Sequence, residues 1–248
     1  MKRILMVCEG QTERDFVQSC LGPYIQEKTL YGGTLVPTML ITSIGAERGQ
    51  GGHAHQYKYI EHAVKTALKD RDAVAVTTML DVFHAPADSP WASIPKTADP
   101  ITWVASLESA FARTINDPRF VPYLSLYEFE ALLFSAPEVL GARVPSLAGS
   151  VAEIKALVAA RGSPEHVNDG KETAPAKRLE AWSCDPDNKV QYKKVIDGNA
   201  VSEAIGIETM RRECKHFDQW VCKLLQRITP GTRCKSACEP AKCPSLSR

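Results

Sequence analysis

Residues 1–16, MKRILMVCEGQTERDF, open on an apolar run that stops at an acid, a glycine and a threonine. Residues 3–8 are short, continuous and bounded by turn chemistry, which predicts a buried strand. Residues 12–28 follow with helical character, Thr12 serving as N-cap and Asp15 standing in capping-box position, one methylene short. A buried strand that feeds a helix is the building unit of a parallel α/β sheet. It also puts Glu9 where the strand emerges and the helix begins. An acid there either complements the positive end of the helix or belongs to a site assembled from several strand ends. The other strand ends decide which.

The alternation continues outward from this unit. GTLVPTMLIT (33–42) reads as a second strand, with Pro37 pointing to an edge or a bulge. SIGAERGQGGHAHQYK (43–58) reads as a glycine-rich loop and YIEHAVKTALKD (59–70) as a helix. AVAVTTML (73–80) is the most strand-like run and ends at Asp81. A Pro-rich loop (82–100), a helix ITWVASLESAFARTI (101–115) and a fourth strand FVPYLSLY (120–127) follow. EFEALLFSAPEVL (128–140) then begins a helix with acids in its first turn. Beyond residue 150 the pattern is helical: SVAEIKALVAARG, APAKRLEAWS and IETMRRECKHFDQWVCKLLQRI. In the last of these, Phe217, Trp220 and Leu224 fall at core spacing, with Cys214 and His216 beside them. The expected architecture is a mostly parallel α/β sheet flanked by helices over residues 1–145, a helical subdomain packed on it over 146–228, and a Cys/Pro/Ser-containing tail over 229–248.

Bulk composition narrows the function classes only a little. Hydrophobic residues at 44% and charged residues at 24% describe an ordinary globular chain of 248 residues. The net charge of +1 neither favours nor excludes nucleic acid, so any anion-binding surface has to be local. No apolar run approaches the roughly 20 residues of a bilayer span, so no membrane partner is expected. The chain enters its first strand with no apolar leader, which makes the cytoplasm the expected location. Cys8, Cys20, Cys184, Cys214 and Cys222 read as buried free thiols. Cys234, Cys238 and Cys243 are spaced too loosely for a zinc knuckle and no histidine follows them, so the tail reads as a frayed end.

Three strands end in acids: Glu9 after the first, Asp81 after the third, Glu128 and Glu130 after the fourth. In open α/β sheets ligands bind beyond the carboxyl ends of the strands, and right-handed crossovers keep those ends on one edge. Carboxylates forced together repel, and a hard divalent cation resolves the repulsion. An oxygen-only set suits Mg²⁺ or Mn²⁺ and phosphoryl chemistry. The competing reading makes each acid a helix cap or first-turn residue, a role that fits Glu128 and Glu130 well.

Five stretches, CEGQTERDFV (8–17), TTMLDVFHAP (77–86), YEFEALLFSAP (127–137), NDGKETAPAKRL (168–179) and CKHFDQW (214–220), together resemble the bacterial family called domain of unknown function 4276. That family in turn looks similar to Toprim domains, the metal-binding fold of topoisomerases, primases and overcoming-lysogenization-defect nucleases. The resemblance implies a divalent-metal-dependent nuclease acting on DNA or RNA, the effector of an anti-phage defence pair with an ABC-type ATPase partner. It implies that Glu9 is the catalytic glutamate after the first strand, with Gly10 letting the backbone turn close to phosphate. Asp81 corresponds to the first aspartate after the third strand, while Phe83 stands where a second would be. Glu128 or Glu130 would then supply the missing ligand. Tyr127 stands where the family pattern carries His. The alternative is a non-catalytic module that binds nucleic acid or nucleotide and regulates the ATPase.

Two basic stretches remain. Arg48, in the glycine-rich loop, joins backbone amides as a phosphate-binding candidate, against a plain surface loop with solvated His53 and His55. Lys177 and Arg178, with Lys171 nearby, either hold a substrate phosphate at the edge of the site or decorate a solvated helix face.

Overall fold

A computed structural model describes residues 1–40, 56–82, 86–168, 170–184, 191–231 and 234. The glycine-rich loop with Arg48, His53 and His55 lies outside them, as does Phe83. Strand β1 (Lys2–Cys8) leads into α1 (Gln11–Phe16), a π-helical segment (Val17–Leu21) and α2 (Gly22–Lys28). The expected single helix is therefore continuous but widened in its middle. Pro23 has no N–H to donate back into the helix. Gly22 instead donates to the Val17 carbonyl, and a Cβ on Gly22 would lie 2.8 Å from that oxygen.

The N-terminus of this helix differs from the expected one. Gly10, not Thr12, is the N-cap, and its N–H donates to the Glu13 carboxylate at 2.9 Å. Glu13, not Asp15, thus fills the capping-box position. The strand ends so tightly against the helix that the cap falls on the first residue after Glu9.

Strand β2 (Gly33–Met39), helix α3 (Tyr57–Leu68), strand β3 (Ala73–Asp81) and helix α4 (Pro100–Ile115) follow. The Asp99 carboxylate caps α4 by accepting from the N–H groups of Ile101 and Thr102. The expected fourth strand appears as two short pieces, β4 (Phe120–Val121) and β5 (Leu124–Ser125). All pairings are parallel, in the order β2-β1-β3, with β4 and β5 both on the far side of β3. Pro37 sits on the edge strand, where its missing N–H faces away from the ladder. Pro122 explains the gap between β4 and β5: it cannot donate, and the Thr78 hydroxyl bonds the Tyr123 N–H and C=O at 3.0 and 2.9 Å instead.

The alternation of β1 sends Ile4, Met6 and Cys8 to one core and Val7 to another. The first core packs against Phe16 of α1 and, from the C-terminal end, Phe217 and Trp220 of α10 (Lys215–Ile228). The second packs against Ile60 and Val64 of α3 and Val104 and Phe111 of α4. Helices therefore cover both sheet faces, as a parallel sheet requires.

The region after β5 departs from expectation in three places. Phe129–Ser135 is a 3₁₀ helix, and regular helix resumes only at α5 (Pro137–Arg143), because Pro137 begins a new helix in preference to continuing one. Helices α6 (Val151–Arg161) and α7 (Pro175–Ser183) match their expected positions. A helix with no sequence expectation, α8 (Lys194–Ile205), precedes α9 (Ile207–Glu213). The long C-terminal helix is split into α9 and α10 at Cys214, where the backbone is extended. The split lets the Glu165 carboxylate take the freed N–H groups of His216 and Phe217, both at 2.9 Å. Cys214, His216, Phe217, Trp220 and Leu224 are all buried, as expected. Cys222, expected as a free thiol, forms a disulfide with Cys234; Cys184, expected buried, is exposed.

Candidate functional site

Beyond the carboxyl ends of β1 and β3 the two leading acids meet. The β1–β3 register pairs Cys8 with Met79, so Glu9 leaves β1 alongside the last two residues of β3, Leu80 and Asp81. Glu9 turns its carboxylate onto the neighbouring strand end and accepts the Asp81 backbone N–H at 2.8 Å. Asp81, itself buried, accepts the Phe129 N–H on Oδ1 at 3.1 Å. That bond ties the end of β3 to the segment carrying Glu128 and Glu130.

A residue of positive φ precedes this segment. Tyr127 has φ of +73°, a conformation costly for a bulky side chain and commonest at functional sites. The Tyr127 ring lies in the second core, with the Lys96 ammonium 4.9 Å from its centroid, while Phe129, two residues on, lies in the first. Glu130 is completely buried, and neither of its oxygens has a hydrogen-bond partner among the described residues. Glu128 behaves differently: its Oε2 accepts the Ala176 N–H at 2.9 Å and so caps α7 from outside the helix. Both acids take the expected positions at the start of the 3₁₀ helix, Glu128 as N-cap and Glu130 in the first turn, but the Glu128 carboxylate makes no cap bond there and caps α7 instead.

Two residues that carried no sequence expectation complete the group. Glu13 stands one helical turn beyond Glu9 and is buried. Lys194, the first residue of α8, places its ammonium 3.3 Å from Glu130 Oε2 and 3.9 Å from Asp81 Oδ2. Its side chain is 39% exposed, yet the ammonium reaches a carboxylate with no exposure at all.

The electrostatics follow from this crowding. Burial, then repulsion from Glu9, raises Asp81 well above the usual carboxylate range despite Lys194. Burial raises Glu13 against the pull of Lys194. Burial and the Glu128 charge push Glu130 up to about 7, again against Lys194. Burial would lower Lys194, but Glu130, Asp81, Glu13 and Glu128 outweigh it and hold the ammonium firmly charged. One ammonium thus faces four acids, of which Asp81, Glu13 and Glu130 are raised. As the side chains stand, no three His, Cys, Asp or Glu residues among the described ones are grouped closely enough to hold a metal ion.

The other expected residues fall into place around this centre. The Gly10 N–H is engaged by Glu13, and its φ of −147° is open to any residue. Lys177 and Arg178 follow directly on the amide that Glu128 binds, so the first turn of α7 adjoins the acid group. Lys177 pairs with Glu180 at 2.8 Å in solvent, and Arg178 donates to the Thr173 carbonyl at 2.9 Å. Arg48 lies outside the described residues. Glu13 had a signal in the sequence, an acid four positions after Glu9; Lys194, one of many lysines, had none.

These features define a class: an α/β protein of parallel strands whose carboxyl edge gathers buried acids around a lysine. The model of the family described as Domain of unknown function (DUF4276) matches residues 8–225, and the chain belongs to that family. No curated protein and no solved structure matches it. Among the described residues no helix is long and apolar enough to cross a membrane.

Proposed function

We propose that this protein is a divalent-metal-dependent nuclease, hydrolysing phosphodiester bonds in DNA or RNA as the effector of an anti-phage defence pair with an ABC-type ATPase. The observation that carries the chemistry is the meeting of Glu9, Asp81 and Glu130 at one edge of the sheet. Mg²⁺ or Mn²⁺ fits the donor set, because all donors are oxygens and the buried Glu130 oxygens accept no hydrogen bond among the described residues. When bound, such an ion supplies positive charge against the phosphate. Glu9, Asp81 and Glu130 would hold it. Glu9 is oriented by the Asp81 amide and Asp81 by the Phe129 amide, so both carboxylates are fixed by backbone. Glu128 already commits its Oε2 to the cap of α7, which leaves Oε1 for any further ligand. Lys177 and Arg178 on that helix suit the substrate backbone at the rim, and Arg48 keeps the same assignment. The ATPase partner, the defence role and the cytoplasmic location rest on the family resemblance and the sequence.

A second reading, a non-catalytic module that binds nucleic acid or nucleotide and regulates the ATPase, is favoured by Phe83 in place of a second aspartate and by the engagement of Glu128 as a cap. A cleavage assay separates the two. Single- and double-stranded DNA and RNA are incubated with Mn²⁺ and the wild type, Glu9→Gln or Asp81→Asn, with and without the ATPase. The nuclease reading expects wild-type cleavage and a loss of about 100-fold or more in each variant. Cleavage that persists undiminished in both variants places the chemistry elsewhere. Nucleic-acid binding without cleavage in any arm selects the regulatory module.

A further inference from the structure

We propose that Lys194 is a built-in counter-ion of the acid group, holding the carboxylates in the position a divalent cation takes, so that the lysine and the cation exclude one another. The proposal rests on the metal-site reading above and adds how that site is regulated: it is closed by its own lysine until a cation displaces it.

The ammonium pairs with two of the three acids that the metal reading needs, Asp81 and Glu130. An ammonium has three donors and no lone pair, so it can pair with these oxygens but cannot share a metal's coordination sphere. A second cation on the same oxygens would meet its full repulsion in a poorly solvated place. Lys194 is also built to leave. The start of α8 is anchored, the Lys193 N–H donating to Asp197 Oδ2 at 2.6 Å, so release needs only side-chain rotation. The partly exposed side chain has solvent to move into.

A second group near the same acids points to an occupant. Tyr192, two residues earlier, is buried, and its hydroxyl has no hydrogen-bond partner among the described residues. Glu130 is the leading charge that acts on this phenol. The hydroxyl sits against Gly198 of α8, where a Cβ would lie 2.9 Å from the oxygen, so the glycine makes room for it. A buried donor and a buried carboxylate, both without hydrogen bonds, mark a site whose polar groups are satisfied only in another state.

The test is Mn²⁺ binding by calorimetry, with thermal melting alongside, on metal-stripped wild type, Lys194→Met, Lys194→Arg and Asp81→Asn. Lys194→Met should melt several degrees lower without metal. It should bind Mn²⁺ about tenfold or more tightly than wild type, and gain more in melting temperature from it. Lys194→Arg, which keeps the charge, should bind as wild type does, and Asp81→Asn should abolish binding. If Lys194→Met does not fold, Lys194→Gln serves the same comparison. Equal or weaker Mn²⁺ binding by the uncharged variant, with Asp81→Asn still abolishing it, overturns the counter-ion role and leaves the metal site standing. Absence of Mn²⁺ binding in every protein overturns the metal reading itself.

Discussion

At the scale of single residues, His216 is a second place where buried charges meet, away from the acid group. Its Nε2 lies 2.9 Å from Glu108 Oε1 and its Nδ1 lies 3.9 Å from Glu165 Oε1, while the ring stacks on Tyr123. Burial would lower the imidazole and Lys223 adds to that, but Glu108 and Glu165 outweigh both, so His216 titrates above its ordinary value. A raised histidine contributes stability that is fully present below the unfolded value near ~6.5 and is lost as pH rises through the folded value. Glu165, raised chiefly by burial, acts in the same sense at lower pH. The His216 contribution to urea-unfolding stability should therefore fall by up to about 1.4 kcal/mol per pH unit above pH ~6.5, on top of any fall from the raised acids of the site. His216→Gln should flatten that fall, and the difference between the two profiles isolates this residue from the acid group. A wild-type profile that rises across this range would refute the assignment.

At the scale of elements, the break between β4 and β5 is a repair. Thr77 pairs with Val121 and Leu80 with Leu124, so the register is the same on either side of Pro122. Thr78 bridges the gap with two hydrogen bonds to the Tyr123 backbone. Thr78→Val keeps the shape and strands a buried N–H and a buried C=O, which costs about 2–4 kcal/mol. Equilibrium denaturation should show that loss, and a value under ~0.5 kcal/mol would mean the ladder does not depend on the hydroxyl. The element also matters to the site: β5 leads directly into Tyr127 and the acids after it. Sequence periodicity could find this strand but not its interruption, because a proline in a strand run leaves open which side chain replaces the lost donor.

At the scale of the whole molecule, the C-terminal helix closes the fold. Trp220 of α10 stacks on Tyr123 at 4.1 Å and donates from its indole to Thr77 at 2.9 Å, joining the last helix to the middle strand. Past its end, the Cys222–Cys234 disulfide ties the chain back across 12 residues, with the Arg211 guanidinium 3.3 Å from each sulfur. A loop of that length contributes up to ~3 kcal/mol by restricting the unfolded chain. Cys234→Ser, or reduction of the wild type, should lower the melting temperature by about 5 °C or more under otherwise matched conditions. Identical melting with and without reductant would show that the bond adds nothing to stability.

What the sequence determined by itself was the alternation of strand and helix, the parallel sheet, the edge position of Pro37, and the acids at three strand ends. Each is a property of one segment: an apolar run of strand length, a proline, a carboxylate at the first polar position. Tertiary structure decided which of those acids face one another. Glu9, Asp81 and Glu130 gather because the β1–β3 register brings Glu9 alongside the end of β3, where it accepts the Asp81 N–H, and the Phe129 N–H ties the next segment to Asp81. Glu128, two positions from Glu130 and alike in sequence, caps α7 instead, because its amide partner at Ala176 arrives from a helix 48 residues away. Lys194 comes from farther still, on a helix whose mixed face gave no periodic signal. Its meaning is a matter of distance to four buried acids, and distances between remote segments are fixed only when the whole chain has packed.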